Sequence, residues 1–387
     1  MRSRFYDQVH EEFRAAVRPF LEKEVAPRVE EWEDARAVDR SAWTAAAEIG
    51  LLGFLIPEEY GGLGEPDYRF RCVVAEETAR VNATSYALTL GLQDDLVSPY
   101  LVDLGSDEQK KRWLPGMAAG ELIGALGLTE PGAGSDLQGI STRAVRDGSD
   151  WVLNGAKTFI SSGIQADHVV VFARTDPDAG SRGFSLFVVE RDMPGFERGR
   201  QLRKVGLDGQ DTAELFFSDV RIPADNVLGE VGQGLPYLMQ RLPRERMYIA
   251  MGALAAAEAT LQQTLEYTAE RTAFKSSISS FQHSRFELAE METELDVARA
   301  YIERCVEALN EEDLTAVDAA KAKWWLTELQ LRITTRCVQL FGGYGYMLEY
   351  PVGRAYRDAR IQTIYGGTTE IMKEIIGRDQ AARYRAK

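Results

Sequence analysis

The spacing of apolar residues divides the chain into three parts. From Phe5 to about Gly120, apolar side chains recur every three or four positions with charged residues between them. This period predicts a bundle of amphipathic helices. Near Leu122 the pattern changes to short runs rich in Val, Ile, Phe and Thr, separated by Gly, Asp, Pro and Asn. Such runs indicate strands, and the helical period returns from Gly232.

These patterns predict an α+β protein that is mainly helical. We expect an N-terminal helical domain at 1–121, a middle antiparallel β domain at 122–231 and a C-terminal helical domain at 232–387. Stretches with few internal Gly or Pro residues predict the long helices of the last domain, at 247–269, 286–309, 316–341 and 370–384. Because helices and strands are segregated along the chain, a Rossmann or barrel topology is excluded.

The composition of the chain excludes several classes of partner and site. The 387 residues include 45 Lys and Arg against 60 Asp and Glu, a net charge of −15 that argues against nucleic acid or an anionic membrane as partner. Cys72, Cys305 and Cys337 lie far apart, and no histidine is near them in the sequence, so we expect neither a disulfide framework nor a metal site. The charged N-terminus does not resemble a signal peptide, and no long apolar run predicts membrane insertion. We therefore expect a cytoplasmic protein.

Three glycine-containing loops are candidates for ligand binding. They are LTEPGAGSD at 128–136, QLFGGYGY at 339–346 and IYGGTTE at 364–370. A backbone without Cβ atoms lets N–H groups approach an anionic or carbonyl-rich ligand closely, although a single loop of this kind is as readily a plain turn. Arg271, Phe274 and Gln282 add a cation, an aromatic ring and an amide that could hold a pyrophosphate and an adenine.

In their order and separations, four motifs of the chain resemble the acyl-CoA dehydrogenase family of flavoproteins. They are LTEPGAGSD, Arg-x-x-Phe followed by Gln, QLFGGYGY and YGGTTEI. The resemblance covers essentially the whole chain and is greatest to the long-chain type. It implies the acyl-CoA dehydrogenase fold with a C-terminal four-helix domain, and FAD as the cofactor. It further implies an acyl-CoA or acyl carrier protein thioester as substrate, an electron-transferring flavoprotein as electron acceptor, and a homotetramer or dimer of dimers.

The resemblance also assigns residues to FAD. The flavin contacts fall on Leu128, Thr129, Gly134, Ser135, Phe159, Ile160 and Ser161, and the adenosine-diphosphate end matches Arg271, Phe281 and Gln282. A stretch that reaches FAD from the neighbouring subunit in this family matches Gln339, Leu340, Phe341, Gly342 and Gly343, and Thr368, Thr369 and Glu370 complete the set. The chain departs from the family at Lys275, where a glycine nearly always follows Arg-x-x-Phe.

The implied reaction needs one base for the α-proton of the thioester. Many members carry it as the Glu of Tyr-Glu-Gly-Thr, but this chain has Gly366 there. The long-chain and isovaleryl branches take the base from a different helix, just before an Arg, and that position is Glu245 here. Gly366 keeps its backbone N–H, which in the family binds the thioester carbonyl. The alternative for Glu245 is a solvated charge cluster with the neighbouring arginines.

Further substrate contacts implied by the resemblance are Ser135, Tyr237, Pro243, Arg246, Gly367 and Arg378. Three other carboxylates compete with Glu245 as candidates for the base. We expect Glu130 and Asp136 to shape their loop and Glu370 to cap a helix.

Two other functions stay open from the sequence. One is a non-catalytic protein that binds a flavin or an acyl carrier, and the other is an acyl-thioester oxidase that uses O2.

Overall fold

The N-terminal part of the chain is helical. The computed structural model describes residues 5–385, so the outermost ends of the first and last predicted domains, at 1–4 and 386–387, lie outside the described residues. The helices are α1 (Gln8–Phe20), α2 (Val29–Ala35), α3 (Arg40–Glu48), α4 (Tyr68–Arg80), α5 (Thr84–Gly91), α6 (Ser98–Leu104) and α7 (Asp107–Ala118). Short π-helical segments at Leu21–Val25 and Leu92–Val97 extend α1 and α5.

A twisted sheet follows. Its strands are β1 (Gly124–Gly127), β2 (Arg143–Asp147), β3 (Asp150–Ser161), β4 (His168–Arg174), β5 (Phe184–Glu190), β6 (Phe196–Gln201), β7 (Thr212–Ile222) and β8 (Val227–Leu228), in the order β6-β7-β3-β2-β4-β5-β8. The sheet is largely antiparallel, as expected. In addition, β1 pairs in parallel with β4, with Gly124 opposite His168. The long connection between β1 and β4 permits this parallel pair.

The C-terminal part consists of long helices. They are α8 (Gly234–Glu270), α9 (Gln282–Asn310), α10 (Ala316–Phe341), α11 (Pro351–Gln362) and α12 (Thr369–Arg385), with a short hairpin of β9 (Thr272–Ala273) and β10 (Ser276–Ser277) after α8. The expected start of α8 at residue 247 is too late, because the helix runs through Pro243. The carbonyl that this proline leaves without a partner belongs to the exposed Met239, where water can bind it. The pattern did not predict α11.

The N-terminal helices pack against both other parts. Trp113 and Leu114 of α7 share a core with Phe172 and Leu186 on one face of the sheet. On the other side, α4 contributes Cys72 to the core of α8, α9 and α10. No helix among residues 5–385 is long and apolar enough to cross a membrane.

A buried ionic cluster joins α4 to α8. Arg71 of α4 donates to Asp95 through Nε at 3.0 Å and Nη2 at 2.8 Å, and its Nη1 lies 3.6 Å from Asp94. Arg244 of α8 reaches the other oxygen of Asp95 at 3.4 Å. Asp94 accepts a hydrogen bond of 2.9 Å from the backbone of Gly53. Because Arg244 directly precedes Glu245, the cluster fixes the part of α8 that carries the candidate base.

We predict that Arg71→Met destabilises the fold strongly, because two buried carboxylates lose their main cation. Leaving a buried charge without its partner costs about 3–5 kcal/mol, which corresponds to a fall of ~5 °C in the thermal unfolding midpoint for a chain of this size. Circular dichroism measures that midpoint.

The matched control is Arg80→Met on the same helix, because Arg80 is itself partly exposed and pairs with the exposed Glu22 at 2.9 Å. Its second partner, the buried Glu77, keeps Arg14 and Arg18 as cations when Arg80 is removed. An exposed pair contributes about 0–1 kcal/mol, so we expect a much smaller change. Equal effects of the two substitutions would contradict the structural role of the buried cluster.

Candidate active site

A cleft lies between the sheet and α8. The residues of the predicted site that line it are Leu128, Thr129, Phe159, Ile160, Ser161, Glu245 and Gly366. Leu88, Leu92 and Leu96 form one apolar wall at intervals of four residues. Sequence reasoning missed these leucines, since such a helical stripe is normally plain core. The structure thus brings the expected flavin loops and the candidate base to one cavity.

Phe159 is presented to the cleft by a β-bulge. Between Lys157 and Ile160, β3 has one residue more than the paired segment of β7. Phe159 adopts a left-handed backbone with φ of 60°, and its side chain is 69% exposed. A bulge re-aims a side chain that would otherwise point into the sheet. The exposed ring therefore offers a flat apolar surface.

A buried ion pair holds the loop beside Phe159. Lys157 donates to the carbonyl of Leu128 at 3.0 Å and to Glu130 at 2.9 Å. Glu130 also accepts from the backbone of Ser141 at 2.7 Å and of Thr142 at 2.9 Å. Lys157 and these donors hold the pKa of Glu130 at about 2, although burial raises it. Glu130 shapes the loop, as predicted, and Lys157 is a supporting residue that the sequence analysis did not identify.

Glu245 projects from α8 into the cleft. Among residues 5–385, no side chain lies within hydrogen-bonding or ion-pairing distance of its carboxylate. Burial raises the pKa of Glu245 to about 7, against the opposing effect of Arg246 and Lys323. A carboxyl group that titrates near neutral pH suits a general base.

The alternative of a solvated charge cluster around Glu245 does not fit the contacts. Arg241 pairs with Asp103 at 2.9 Å, and Arg244 lies 3.4 Å from Asp95. Arg246 is buried, and burial lowers its pKa. The arginines that flank Glu245 in sequence therefore point elsewhere or are themselves buried, and the carboxylate remains available to a ligand.

Gly366 faces Glu245 across a short gap. A Cβ atom built on Gly366 would lie 3.6 Å from Oε1 of Glu245 and 2.2 Å from Cδ1 of Ile249. Gly366 has φ of 60° and Gly367 has φ of 101°, conformations that favour glycine. The carboxylate of Glu245 thus lies close to where a side chain at position 366 would begin.

The loop from Tyr365 to Thr368 is closed by a few local hydrogen bonds. They run from Ile364 and Tyr365 to the carbonyl of Ile361, and from Thr369 to that of Thr363 at 3.0 Å. None of them uses the N–H of Gly366. Thr368, Thr369 and Glu370 begin α12, where Glu370 lies exposed in the first turn.

A second, narrower cavity adjoins the cleft. The two share Leu88, Tyr248, Ile249 and Tyr365 as lining residues. Small side chains from α4, α5 and α8 line much of the rest, together with Arg71, Val74 and Gln362, and Leu207 of the β6–β7 loop is buried against it. The lining residues include Ala75, Ala79, Ala87, Gly252 and Ala256. The space beside the base therefore extends between helices.

Two further sets of predicted FAD residues lie together on a different surface. Arg271 follows the end of α8, Phe281 and Gln282 begin α9, and the stretch Gln339–Gly343 ends α10. The guanidinium of Arg271 lies 5.6 Å from the ring centre of Tyr344, which joins these segments. Gln282, Gln339, Gly342 and Gly343 are exposed, Leu340 is half-buried, and Phe341 is buried and stacked on Tyr267. None of these residues lines the cleft.

Lys275 adopts the conformation for which glycine is suited. Its φ is 66°, and the preceding Phe274 has φ of 51°. A left-handed lysine is a mildly strained substitute for glycine. Its side chain is exposed, so the departure from the family pattern changes the backbone energy of the turn without crowding neighbouring residues.

The predicted substrate contacts are spread more widely. Pro243 and Arg246 lie on α8 beside Glu245, whereas Ser135 is exposed on the loop after β1. The adjoining Gly134, which was predicted to contact the flavin, is exposed on the same loop. The hydroxyl of Tyr237 accepts a 3.2 Å hydrogen bond from the backbone of Glu230. Arg378 is exposed on α12 and pairs with Glu374 at 2.5 Å.

The residues of the cleft fit the flavin ring of FAD. The exposed ring of Phe159 provides a flat wall. Thr129 and Ser161 bring hydroxyl and backbone groups to the same cavity, suited to the polar edge of a flavin. The remaining wall is largely apolar. The donor set thus agrees with a flavin placed against the sheet.

Comparison with known proteins agrees with this geometry. Family models match residues 7–121 (acyl-CoA dehydrogenase, N-terminal domain), 125–220 (middle domain) and 232–381 (C-terminal domain). The long-chain specific acyl-CoA dehydrogenase, mitochondrial, of Sus scrofa is 48% identical over 97% of this chain and 87% of its own length. These matches extend over all three parts of the fold.

Solved structures give the same result. An acyl-CoA dehydrogenase from Geobacillus kaustophilus has a TM-score of 0.95 and 47% identity, covering 98% of this chain and 100% of its own. A glutaryl-CoA dehydrogenase from Mycobacterium smegmatis in complex with FADH2 has a TM-score of 0.92 and 32% identity, covering 98% and 96%. From its motifs, its fold and these matches, the chain belongs to the acyl-CoA dehydrogenase family.

Proposed function

We propose that Glu245 is the base with which this FAD-dependent acyl-CoA dehydrogenase converts an acyl-CoA to the enoyl-CoA. The family assignment establishes the reaction class and the cofactor. The observation that carries the assignment of the base is the unpartnered carboxylate of Glu245, beside a glycine that leaves space for it. Leu128, Thr129, Phe159, Ile160 and Ser161 would hold the flavin.

The reaction removes one proton and one hydride from adjacent carbons. Glu245 takes the α-proton and becomes a neutral carboxylic acid, and the electron pair of that C–H bond enters the new double bond. Bound FAD supplies the oxidant that accepts the hydride from the β-carbon. The apolar wall of Leu88, Leu92 and Leu96 keeps water away from the reacting carbons, which favours proton transfer to the carboxylate.

Gly366 contributes through its backbone. Deprotonation next to a thioester places negative charge on the carbonyl oxygen, and an aligned N–H stabilises it by about 3–4 kcal/mol in the transition state. The N–H of Gly366 is not used by the hydrogen bonds that close its loop. We propose that it binds the thioester oxygen, with Gly367, Arg246, Pro243, Tyr237 and Ser135 close to the rest of the substrate and Arg378 toward the far end of the carrier.

We predict that Glu245→Gln folds and binds FAD but loses ~10²–10⁴-fold in the rate of flavin reduction, because an amide of the same shape cannot accept the α-proton. Anaerobic stopped-flow absorbance with palmitoyl-CoA measures this rate. Glu266→Gln, at an exposed position of the same helix, is the control and should reduce at the wild-type rate. An unimpaired Glu245→Gln enzyme would place the base elsewhere.

The activity should rise with pH through the titration of Glu245. Its pKa of about 7 lies above that of an ordinary carboxyl group, so below pH 7 the group is mostly protonated and cannot act as a base. We therefore predict an acidic limb of kcat/KM with a midpoint near pH 7. An acidic limb near pH 4.5 would show that the base is a solvent-exposed carboxylate instead.

We propose that the preferred substrates have long acyl chains. The cavity that adjoins the cleft continues past Ile249 and Tyr365 between small side chains of α8 and its neighbours. An acyl tail that enters it would bury its methylenes, each worth about 0.8 kcal/mol. The similarity to a long-chain specific relative supports the same proposal.

Filling this cavity should shorten the preferred chain. A side chain at Gly252 would meet no neighbouring atom within 4 Å of its Cβ, so Gly252→Leu is accommodated and occupies the cavity. We predict that the ratio of kcat/KM for palmitoyl-CoA to that for octanoyl-CoA falls ~10–50-fold, because about three methylenes are displaced. Ala269→Leu, exposed on the same helix, should leave the ratio unchanged. An unaltered ratio in Gly252→Leu would exclude this path for the tail.

We further propose a homotetramer, or dimer of dimers, in which each FAD contacts two chains. Glu245 and Arg271 are about 39 Å apart along α8 at 1.5 Å per residue, further than one dinucleotide extends. Arg271, Phe281, Gln282 and Gln339–Gly343 therefore serve the adenosine end of a cofactor whose flavin lies at another copy's cleft. Exposed Phe274, Tyr346 and Leu348 nearby suit a subunit interface.

Other features remain proposals. The domain bounds 1–121, 122–231 and 232–387 agree with the changes between helix and strand. A reduced enzyme must pass its electrons on, and an electron-transferring flavoprotein is the acceptor we propose. Three free, buried cysteines suit a reducing compartment, for which we propose the cytoplasm, although the Sus scrofa relative is named mitochondrial.

A further inference from the structure

Lys323 is a buried cation directly beneath the candidate site. It lies on α10, and its side chain is fully buried at 0% exposure. It falls on the same helix face as the buried Ala319, Leu326 and Ile333, where the apolar pattern calls for a hydrophobic residue. Lysine is almost never buried unless its charge has a partner. Its contacts therefore indicate a specific role.

The ammonium group of Lys323 binds the glycine loop of the site. Nζ donates a 2.7 Å hydrogen bond to the carbonyl oxygen of Gly367. On the same helix, Glu328 accepts a 2.8 Å hydrogen bond from the hydroxyl of Thr369. Thus α10 holds the loop at two points, one on each side of the turn into α12.

This anchorage matters because the loop is made of glycines. Gly366 and Gly367 are both in left-handed conformations and lack side chains that could pack against neighbours. Glycine loses more conformational freedom on ordering than any other residue. A charge-assisted hydrogen bond to the carbonyl of Gly367 is one of the stronger contacts available to such a segment. It restricts the orientation of the adjoining Gly366 N–H.

The charge of Lys323 also acts on Glu245. No ion pair within 4 Å joins the two among the described residues, but both groups adjoin the same loop. Lys323 binds Gly367, and the carboxylate of Glu245 lies beside Gly366. The charged and titratable groups that act on Glu245 are Arg246 on α8, Lys323 on α10, Tyr100 on α6 and Tyr365 before the loop. Only Arg246 and Lys323 are cations. Burial and, to a smaller extent, the charge of Arg246 lower the pKa of Lys323 to about 8, against the opposing effect of Glu245.

We propose that Lys323 is a positioning residue of the dehydrogenation, which holds the Gly366–Gly367 backbone toward the thioester and favours the ionised form of Glu245 by its charge. The inference rests on the proposed roles of Glu245 and Gly366. Lys323 itself touches neither the substrate nor the cofactor, and it acts through these two groups.

Lys323→Met tests both actions, because methionine fills similar volume without charge or donor. The variant should retain FAD and lose ~10–100-fold in flavin reduction by palmitoyl-CoA, the usual consequence of a misplaced contact. The acidic limb of kcat/KM should move up by ~1 pH unit, because a carboxyl group that loses a nearby cation ionises less readily. Hydrogen exchange at residues 363–369, measured by mass spectrometry without substrate, should accelerate ~10-fold or more.

Lys323→Arg keeps the charge, so the acidic limb of kcat/KM should stay at the wild-type pH. Lys323→Gln removes the charge and should move this limb. It replaces Lys323→Met in the test if the Met variant does not fold. Lys321→Met, which removes an exposed lysine paired with Asp318, is the matched control. The proposal would be overturned by a Lys323→Met enzyme that is slower but has an unchanged acidic limb of kcat/KM and unchanged hydrogen exchange. Lys323 would then contribute only to packing. A wild type that holds FAD but is never bleached by acyl-CoA would contradict the proposed function, while hydrogen exchange would still decide whether Lys323 anchors the loop.

Discussion

The buried contact between Arg71, Asp95 and Arg244 is the constraint on which the site depends. Charges removed from water are costly unless they are paired and hydrogen-bonded, so this cluster admits few alternative arrangements. It fixes α4, the π-helical turn at Leu92–Val97 and α8 relative to one another. Those elements carry the leucine wall on one side of the cleft and Glu245 on the other. The N-terminal helices thus determine where Glu245 lies, although they contain none of the predicted site residues.

The site is built from elements of unequal rigidity. The proposed base is on a long helix, and the proposed flavin wall is on a strand held by the Lys157–Glu130 pair. The proposed oxyanion donor is in a loop of two glycines, which have no side chains to pack against their neighbours. The hydrogen bond from Lys323 compensates for this weakness. Each reacting group is therefore supported by a buried charge that does not itself take part in the chemistry.

Much of this arrangement could be predicted from sequence. The change from a helical to a strand period located the three parts. The glycine loops at 128–136 and 364–370, together with Glu245, identified the cleft, because these motifs in this order are specific. The supporting residues could not be found in the same way. Lys323 and Lys321 look alike in a list of charges, and only the helical period places Lys323 on the buried face. The leucine stripe and Leu207 are typical core residues, since nothing local shows that a cavity adjoins them.

The start of α8 and the bulge that exposes Phe159 escaped prediction for a different reason. Proline normally ends a helix, but Pro243 is accommodated because the carbonyl it leaves free belongs to an exposed residue. The bulge that turns Phe159 outward depends on how β3 pairs with β7. Both features depend on long-range contacts rather than on the local sequence.

The short distance between Gly366 and Glu245 limits how such a site can evolve. With a Cβ at 366 only 3.6 Å from Oε1 of Glu245, a protein that carries Glu at both positions would crowd two carboxylates into one space. A protein that carries neither has no base. Moving the carboxylate between loop and helix therefore passes through an unfavourable intermediate in either order of substitution. The two positions form an epistatic pair. In a lineage that has adopted the glutamate on the helix, moving the carboxylate back to the loop is strongly disfavoured.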